Sequence, residues 1–338
     1  MISIQKDVSL KEYNSFGLEV KAKRFTAFSD LEELKAGLAL MKSEESLLVL
    51  GGGSNILFTQ DFDGLVLKNE LKGIELLQED QDQLLVKVMA GEVWHDFVLY
   101  CIQKDWPGVE NLSLIPGTVG AAPMQNIGAY GVEVKQVFHS LEALEIATGK
   151  VVSFDKEQCE FGYRESIFKK AAKGKYIITS VTFQLNKKAS LNTSYGAISD
   201  TLREMNVTQI DIKAISDAVI QIRQAKLPNP KEIGNAGSFF KNPSIERIDY
   251  EGLRAESPSI PGYKQPDDKL KIPAAWLIEK AGWKGKTFGN IGVHKNQPLV
   301  LVNYGGGDGA NIRDLAFEVK ESVDKEFGIE LTPEVNII

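Results

Sequence analysis

The sequence predicts a protein of mixed α and β structure with two or three domains. Its 338 residues are more than one small hydrophobic core usually organises. Short apolar runs typical of strands are interspersed with stretches in which apolar residues recur at helical spacing. The two prolines of residues 227–230 end one such helical stretch and mark the best candidate for a domain boundary. We therefore expect an α+β fold that divides near this double proline.

The first two thirds of the chain are predicted to be rich in strands. Ser29 is the expected N-cap of a helix that contains Leu31, Leu34 and Leu38. The other elements predicted there are strands at 47–50, around Val66, at 74–77, 84–89, 141–146, 151–154 and 176–185, and a helix at 93–103 with Val93, Phe97, Val98 and Cys101 on one face. Acidic residues 79–82 and the segment 148–150 are expected to be hairpin turns.

The remainder of the chain combines helices and strands in the α/β manner. Ile212, Ile215, Val219 and Ile222 recur at helical spacing before the double proline. The elements that follow are a short helix at 273–282, a buried strand at 299–303, an amphipathic helix at 310–327 and a terminal segment at 335–338.

Composition excludes several classes of function. The formal net charge is −7 and no basic cluster is present, which argues against a nucleic-acid partner. No signal peptide and no apolar run of membrane-spanning length is apparent. Cys101 and Cys159 lack metal or redox spacing, so we expect reduced, buried thiols in a cytoplasmic protein. The three histidines are scattered, and we expect no metal site.

A long stretch without charge, residues 115–131, organises the interpretation of the whole sequence. Its glycines and alanines leave backbone N–H and C=O groups open to close approach. Peptide N–H groups bind anions where Cβ atoms are missing, so this segment could wrap a flat, partly anionic ligand. The alternative is an ordinary buried loop, although a loop of this length is more often functional. We call residues 115–131 the organising loop.

Two glycine clusters are candidates for binding phosphate. Residues 51–55 follow an apolar strand, but they lack the lysine of a P-loop, and Ile56 replaces the third small residue of a dinucleotide fingerprint. Residues 305–310 fit G-x-G-x-x-A between a strand and a helix, which would indicate nicotinamide binding on pattern alone. The second βαβ half is missing there, so a glycine-rich turn is the favoured interpretation. An ordinary turn also remains open for residues 51–55.

Three short polar segments have no evident role in folding. They contain Arg164 in residues 162–166, Ser238 in residues 235–243 and Glu334 in residues 331–335. Each alone has a simple explanation: a surface ion pair, a turn serine, or a solvated acid. Together they would supply a cation, a hydroxyl that carries a proton, and a carboxylate that burial could keep protonated.

Five of these motifs, in their order along the chain, together resemble the UDP-N-acetylenolpyruvoylglucosamine reductase family (MurB) of peptidoglycan synthesis, in its longer, type I form; they are residues 51–55, 115–131, 163–166, 235–243 and 333–335. The resemblance covers essentially the whole chain. It implies the FAD-binding fold of the vanillyl-alcohol oxidase and p-cresol methylhydroxylase (PCMH) type. The implied domains are an FAD-binding subdomain at 1–70 to which the tail 329–338 returns, a second FAD-binding subdomain at 71–224, and a C-terminal α/β substrate-binding domain at 225–328.

The resemblance also implies a cofactor site. FAD would be held without a covalent bond, because Ser54 occupies the neighbourhood in which some relatives attach flavin to histidine, and NADPH would be the hydride donor. The implied FAD contacts are Gly51, Gly52, Gly53, Ser54, Asn55, Ile115, Pro116, Gly117, Thr118, Gly120, Ala121, Gln125, Asn126 and Gly128.

The implied reaction reduces the enolpyruvyl ether of a UDP-sugar to UDP-N-acetylmuramate. Hydride would pass from flavin N5 to C3 of the substrate, Ser238 would protonate C2, and Arg164 and Glu334 would stabilise the enolate. The residues matched to substrate contacts are Tyr130, Tyr195, Lys226, Asn242 and Gln297. Ser15 departs from the usual threonine of the family and is expected to lie away from the chemistry.

Two other functions stay open at this point. An oxidase or dehydrogenase of the same fold would pass electrons to oxygen and would give Ser238 and Glu334 no joint purpose. A catalytically inactive protein that binds sugar nucleotides is the second alternative. We expect a monomer whose partner is a small sugar nucleotide, with one pocket used in turn by NADPH and substrate.

Overall fold

The computed structural model describes residues 2–338, and these form two compact units. The first comprises residues 2–8, Ala22–Gly52 and Asp63–Ala225, and the second comprises Ser9–Lys21, Gly53–Phe62 and Lys226–Ile338. Within the described residues the helices are α1 (Leu31–Ala39), α2 (Trp94–Gln103), α3 (Gly196–Glu204), α4 (Ile212–Lys226), α5 (Arg247–Glu256), α6 (Ala274–Lys280) and α7 (Gly309–Phe327).

Nineteen short or medium strands accompany these helices in the part of the chain described. They are β1 (Gln5–Ser9), β2 (Lys21–Phe28), β3 (Ser46–Leu50), β4 (Ile56–Leu57), β5 (Phe62–Asn69), β6 (Ile74–Glu79), β7 (Gln83–Met89), β8 (Gly128–Ala129), β9 (Val132–Glu133), β10 (Phe138–Glu145), β11 (Val151–Asp155), β12 (Tyr176–Asn186), β13 (Ser244–Ile245), β14 (Tyr263–Lys264), β15 (Leu270–Lys271), β16 (Thr287–Phe288), β17 (Ile291–Val293), β18 (Leu301–Asn303) and β19 (Asn336–Ile337).

The first unit contains two sheets. One has the order β1-β2-β5-β3, with β3 parallel to β5. The other is antiparallel with the order β11-β10-β12-β7-β6, so both predicted hairpins are confirmed. Helix α2 packs on this second sheet, where the ring of Phe97 stacks on that of Phe183 with centroids 4.9 Å apart. Such an aromatic pair adds to the burial of apolar surface that stabilises the core.

Helix starts were predicted less accurately than helix positions. The N-cap of α1 is Asp30, whose carboxylate accepts a hydrogen bond from Glu33 N–H, and not Ser29 as predicted. Ser29 lies one residue earlier and donates to the Glu33 carboxylate instead. Val93 is the extended N-cap residue of α2 and is 40% exposed, so Trp94 takes the place that was predicted for Val93 on the buried face.

The second unit is built from small sheets and three helices. Its three-stranded sheets have the orders β13-β15-β14 and β16-β17-β18, and β19 pairs in parallel with β4. Helix α7 begins at the N-cap Asp308 and ends at Gly328, which adopts the left-handed conformation common after helices. Trp276 of α6 contacts Phe327 of α7, with ring centroids 5.8 Å apart.

The two cysteines, the helices and the acidic and histidine side chains bear on the expectations for redox, membrane and metal sites. Cys101 and Cys159 are both buried and unbonded, as predicted, and burial raises the pKa of the Cys159 thiol to about 12. Across residues 2–338, no helix combines the length and the apolar composition required to cross a membrane. The same residues include no group of three or more histidine, cysteine or acidic side chains placed to hold a metal ion.

Candidate active site

The organising loop is held against the start of α2 by backbone hydrogen bonds. Trp94 N–H donates to Gly117 C=O at 3.0 Å, and Val119 N–H donates to Glu92 C=O at 2.8 Å. Further along, the loop forms two short 3₁₀ turns at residues 119–125 and the small hairpin of β8 and β9. These contacts give the loop a defined course without long regular elements.

Within the first unit, Gly52 of the glycine cluster at residues 51–55 lies directly against the organising loop. A Cβ atom placed on Gly52 would be 2.9 Å from the Cα atom of Gly117, which is closer than real Cβ contacts. The N–H groups of Gly52, Gly117 and Thr118 donate to no acceptor within residues 2–338, although Thr118 is only 6% exposed. Thr118 is the buried member of this group, and a buried N–H normally has a partner, so the three donors together suit an anionic ligand that would provide the acceptors.

The rest of that glycine cluster belongs to the second unit. Gly53 C=O accepts from Ser15 N–H at 3.0 Å, and Ser15 C=O accepts from Asn235 N–H at 2.9 Å. Ser15, which was expected to lie away from the chemistry, thus connects Gly53 through its backbone to Asn235, in the segment that carries Ser238. Asn55 Nδ2 donates to Glu334 C=O at 3.3 Å, and Asn55 C=O accepts from the backbone of the C-terminal tail.

Arg164 lies in a tight turn of the first unit. The bridge between Gly162 and Glu165 closes this turn, and Arg164 adopts a φ of +54°. Its guanidinium donates to Gly128 C=O in the organising loop and lies 5.4 Å from the ring centroid of Tyr163. A residue other than glycine in the left-handed region is strained, and such strain is often found at functional sites. The predicted cation is therefore attached directly to the organising loop.

Ser238 and Glu334 lie on adjacent chain segments of the second unit. Glu334 N–H donates to Phe239 C=O at 2.8 Å, and Phe239 is the residue that follows Ser238. An antiparallel bridge between Phe240 and Pro333 continues this pairing. Ser238 and Glu334 are both half-buried, whereas the two phenylalanines beside them are fully buried. The structure therefore brings the predicted hydroxyl and carboxylate into one local arrangement.

The five residues predicted to contact the substrate are distributed over both units. In the first, Tyr130 and Tyr195 make an edge-to-face ring contact at 5.2 Å. In the second, Lys226 is the exposed last residue of α4. Asn242 Oδ1 accepts from Ala274 N–H at 2.9 Å and so binds the first residue of α6. Gln297 precedes a segment in which Leu299 C=O accepts from Phe239 N–H, next to Ser238.

Comparisons with known proteins agree over the full length of the chain. Residues 22–155 match the FAD binding domain, and residues 229–338 match the UDP-N-acetylenolpyruvoylglucosamine reductase C-terminal domain. The chain is 50% identical over 100% of both chains to UDP-N-acetylenolpyruvoylglucosamine reductase of Flavobacterium johnsoniae. It is 53% identical, again over 100% of both, to the protein of that name from Amoebophilus asiaticus.

The chain belongs to the UDP-N-acetylenolpyruvoylglucosamine reductase family. It is an oxidoreductase of peptidoglycan synthesis, a UDP-N-acetylmuramate dehydrogenase, and the predicted cofactor pair is that of this family: FAD, with NADPH as the hydride donor. The predicted FAD-binding fold of the PCMH type is confirmed. A solved structure of UDP-N-acetylenolpyruvylglucosamine reductase from Thermus caldophilus agrees in fold, with a TM-score of 0.67 and 22% identity over 100% of this chain and 99% of that one.

The FAD of a UDP-N-acetylenolpyruvoylglucosamine reductase fits the cluster of unpaired N–H groups in the first unit. Gly52, Gly117 and Thr118 present backbone donors without carboxylates between them, which matches the charge of a pyrophosphate. The glycine segment 305–310 differs, because Gly305 N–H and Gly307 N–H donate to Asn303 Oδ1 at 3.0 and 2.9 Å. The N–H groups of Gly305, Gly307, Ala310 and Asn311 are bonded to the side chains of Asn303 and Asp308, in keeping with the favoured interpretation of a structural turn.

Two residues near the predicted site were missed by sequence reasoning. Arg223 of α4 donates from Nε to Leu114 C=O at 3.2 Å and lies near the hydroxyl of Tyr130. Burial lowers its pKa, and no carboxylate within residues 2–338 pairs with it. His95 of α2 accepts from Leu114 N–H at 3.0 Å through Nδ1. The sequence could have indicated Arg223, because this charged residue directly follows Ile222, the last of the apolar residues at helical spacing.

Proposed function

We propose that this enzyme reduces the enolpyruvyl ether of UDP-N-acetylglucosamine enolpyruvate by a two-step exchange in one pocket. When bound, FAD supplies the hydride chemistry, accepting hydride from NADPH and delivering it to C3 of the enolpyruvyl group. The protein's own residues bind and orient the sugar nucleotide, stabilise developing charge and deliver a proton to C2. The absence of a separate nicotinamide domain supports alternate use of one pocket by NADPH and substrate.

Ser238 is the proposed proton donor to C2. A serine hydroxyl is a weak acid, so it donates only to a strongly basic acceptor, such as the carbanionic C2 of an enolate. The observation that carries this assignment is the hydrogen bond from Glu334 N–H to Phe239 C=O, which places the segments of the hydroxyl and the carboxylate side by side. The pairing gives both residues a purpose that a flavin oxidase would not require.

Arg164 and Glu334 are the proposed stabilisers of the enolate. Negative charge that develops beside the substrate carboxylate is stabilised most by donors fixed in place before reaction. Arg164 is fixed in this way, because its guanidinium donates to Gly128 C=O and its backbone turn is closed by Glu165. Glu334 would act in protonated form or share a proton with its surroundings. The domain bounds given above, at residues 70, 224 and 328, are part of the same proposal.

The remaining predicted contacts complete the binding model. The unpaired N–H groups near Gly117 support dissociable FAD whose pyrophosphate binds the backbone. The other proposed FAD contacts are Gly51, Gly53, Ser54, Asn55, Ile115, Pro116, Gly120, Ala121, Gln125, Asn126 and Gly128. Tyr130, Tyr195, Lys226, Asn242 and Gln297 would bind the sugar nucleotide, with Lys226 providing charge for its diphosphate.

The Ser238→Ala variant tests this function. Flavin bleaching by NADPH, followed by stopped-flow absorbance, should keep its normal rate because that half-reaction needs no proton from serine. Reoxidation by the enolpyruvyl substrate should slow by about a thousandfold, the range expected for loss of a general acid. Ser244→Ala is the matched control, because Ser244 is exposed on β13, and both of its half-reactions should be normal. Equal slowing of both half-reactions in Ser238→Ala would make Ser238 structural.

A further inference from the structure

Both backbone polar groups of Leu114 are bound by side chains from other elements. Leu114 N–H donates to His95 Nδ1 at 3.0 Å, and Leu114 C=O accepts from Arg223 Nε at 3.2 Å. His95 belongs to α2 and Arg223 to α4, so two helices fix one peptide segment. We call His95, Leu114 and Arg223 the Leu114 clamp.

Leu114 requires such support because of its conformation. Its φ is +57°, in the left-handed region that residues with a Cβ atom rarely adopt. Strained residues of this kind persist only where the surroundings hold them. The preceding residue is also attached to α4, since the Ser113 and Ser216 hydroxyls lie 2.8 Å apart in a buried position.

The position of Leu114 in the chain makes its conformation important. It immediately precedes the organising loop, and the next backbone attachment beyond it is Gly117 C=O, which accepts from Trp94 N–H. Residues 115 and 116 therefore follow the direction that Leu114 imposes. A change of its φ would displace the unpaired N–H groups of Gly117 and Thr118.

We propose that His95 and Arg223 are positioning residues that hold Leu114 in its left-handed conformation and thereby shape the FAD-binding loop. This inference rests on the proposed function, because it takes residues 115–128 as FAD contacts. Neither residue need touch FAD or substrate to act in this way. Their effect passes through the backbone of Leu114.

The clamp works in only one protonation state of His95. Nδ1 can accept from Leu114 N–H when it carries no proton, and it becomes a donor in the imidazolium. The charged groups that face His95 are Asp96 of its own helix and Arg223 of α4. Burial is the main cause that lowers the pKa of His95 and Arg223 adds to it, whereas Asp96 opposes them.

The sign of the pH effect follows from that lowered pKa. The folded protein binds a proton on His95 less readily than the unfolded chain, whose histidine pKa is 6.5. The contribution to stability is therefore complete above pH 6.5 and decreases as the pH falls toward the lowered pKa. FAD retention by the folded enzyme should weaken as the pH falls through the lowered pKa of His95, because protonation of Nδ1 removes the acceptor of Leu114 N–H.

A pair of polar variants of the holoenzyme tests the proposal. His95→Asn keeps an acceptor at the place of Nδ1 but cannot titrate, whereas His95→Gln moves the acceptor one bond further out. The readouts are amide hydrogen exchange of residues 115–120 and the rate of FAD release followed by flavin fluorescence. His95→Gln should accelerate both by about tenfold at neutral pH, the cost of one unsatisfied buried donor. His139→Gln, an exposed histidine on β10, should change neither.

The pH profile separates the clamp from a merely structural role. FAD release from the unmodified enzyme should accelerate as the pH falls through the lowered pKa of His95, below 6.5, and His95→Asn should remove this acceleration while keeping normal release at neutral pH. An acceleration that persists in His95→Asn would overturn the proposal, as would unchanged exchange of residues 115–120 in His95→Gln. If His95→Gln accelerates amide exchange of residues 115–120 but leaves FAD release unchanged, the Leu114 clamp is supported. The same result would contradict the assignment of this loop to FAD binding.

Discussion

Two glycine-rich segments of this enzyme have similar sequences but differ in the acceptors that side chains provide for their backbone N–H groups. Around Gly52 and Gly117, backbone N–H groups have no acceptor within residues 2–338. In the segment 305–310, Asn303 accepts from two glycine N–H groups, and Asp308 accepts from the first N–H groups of α7. From this difference we expect the phosphate site at the first segment and a structural turn at the second, where Asn303 and Asp308 accept from four backbone N–H groups.

The physical basis of this difference is the cost of an unpaired donor. A buried N–H without a partner destabilises a fold by about 1–3 kcal/mol. Thr118 is buried and belongs to the same group of unpaired donors as Gly52 and Gly117, so we expect a ligand to provide acceptors there, and in the proposed site the pyrophosphate of FAD would do so. Where a side chain already accepts from the glycine N–H groups, as Asn303 does, these hydrogen bonds stabilise the turn.

The largest expected effect that sharpens this comparison comes from Gly52→Ala. The new Cβ atom would lie 2.9 Å from the Cα atom of Gly117, so the two backbones must separate. Overpacking of this kind costs about 1–3 kcal/mol, and we expect the FAD dissociation constant to rise by up to about a hundredfold. Fluorescence titration with FAD measures the change. Gly252→Ala, at an open position of α5, is the control, and equal affinities in the two variants would contradict the account.

An intermediate effect is expected from Asn303→Ala in the contrasting segment. The variant removes the acceptor of Gly305 N–H and Gly307 N–H and the donor to Phe16 C=O. We expect the free energy of unfolding to fall by about 1–2 kcal/mol, because the buried Phe16 C=O and the less buried Gly305 and Gly307 N–H groups lose their partner. Chemical denaturation of the holoenzyme measures this, with Asn296→Ala at an exposed position as the control. The affinity of the folded enzyme for FAD should be unchanged, and a weakened affinity would place phosphate binding in the wrong segment.

The smallest effect is expected from Asp308→Ala. Its carboxylate accepts from Ala310 N–H and Asn311 N–H at the start of α7. Loss of an N-cap costs about 1 kcal/mol, and Asp308→Ser should restore most of it. Thermal unfolding of the three proteins gives the order of stability. A decrease in FAD affinity larger than the loss of stability would show that this helix start binds the cofactor after all.

Regular elements were predictable because their signals are local. The apolar spacing of α4 and the hairpin of β6 and β7 follow directly from periodicity and turn residues. Helix α5 was not predicted, because it buries none of its residues and so shows no apolar stripe. Strand β2 was also missed, since three of its eight residues are basic and only tertiary pairing reveals its buried face.

The candidate site was predictable only in part. Ser238 and Glu334 were found through their resemblance to a family, and their adjacency depends on a pairing of segments about ninety residues apart that no local pattern shows. Arg223 and His95 were missed because their partner is the backbone of Leu114, whose conformation is not encoded by a glycine. A left-handed leucine has no sequence signal.

A crystal structure of the enzyme with FAD tests the central claim most directly. The account predicts that pyrophosphate oxygens lie about 3 Å from the backbone nitrogens of Gly52, Gly117 and Thr118. It also predicts that Gly305 and Gly307 N–H still donate to Asn303 in that complex. A pyrophosphate bound at residues 305–310, with the Gly117 and Thr118 donors left unpaired, would contradict it.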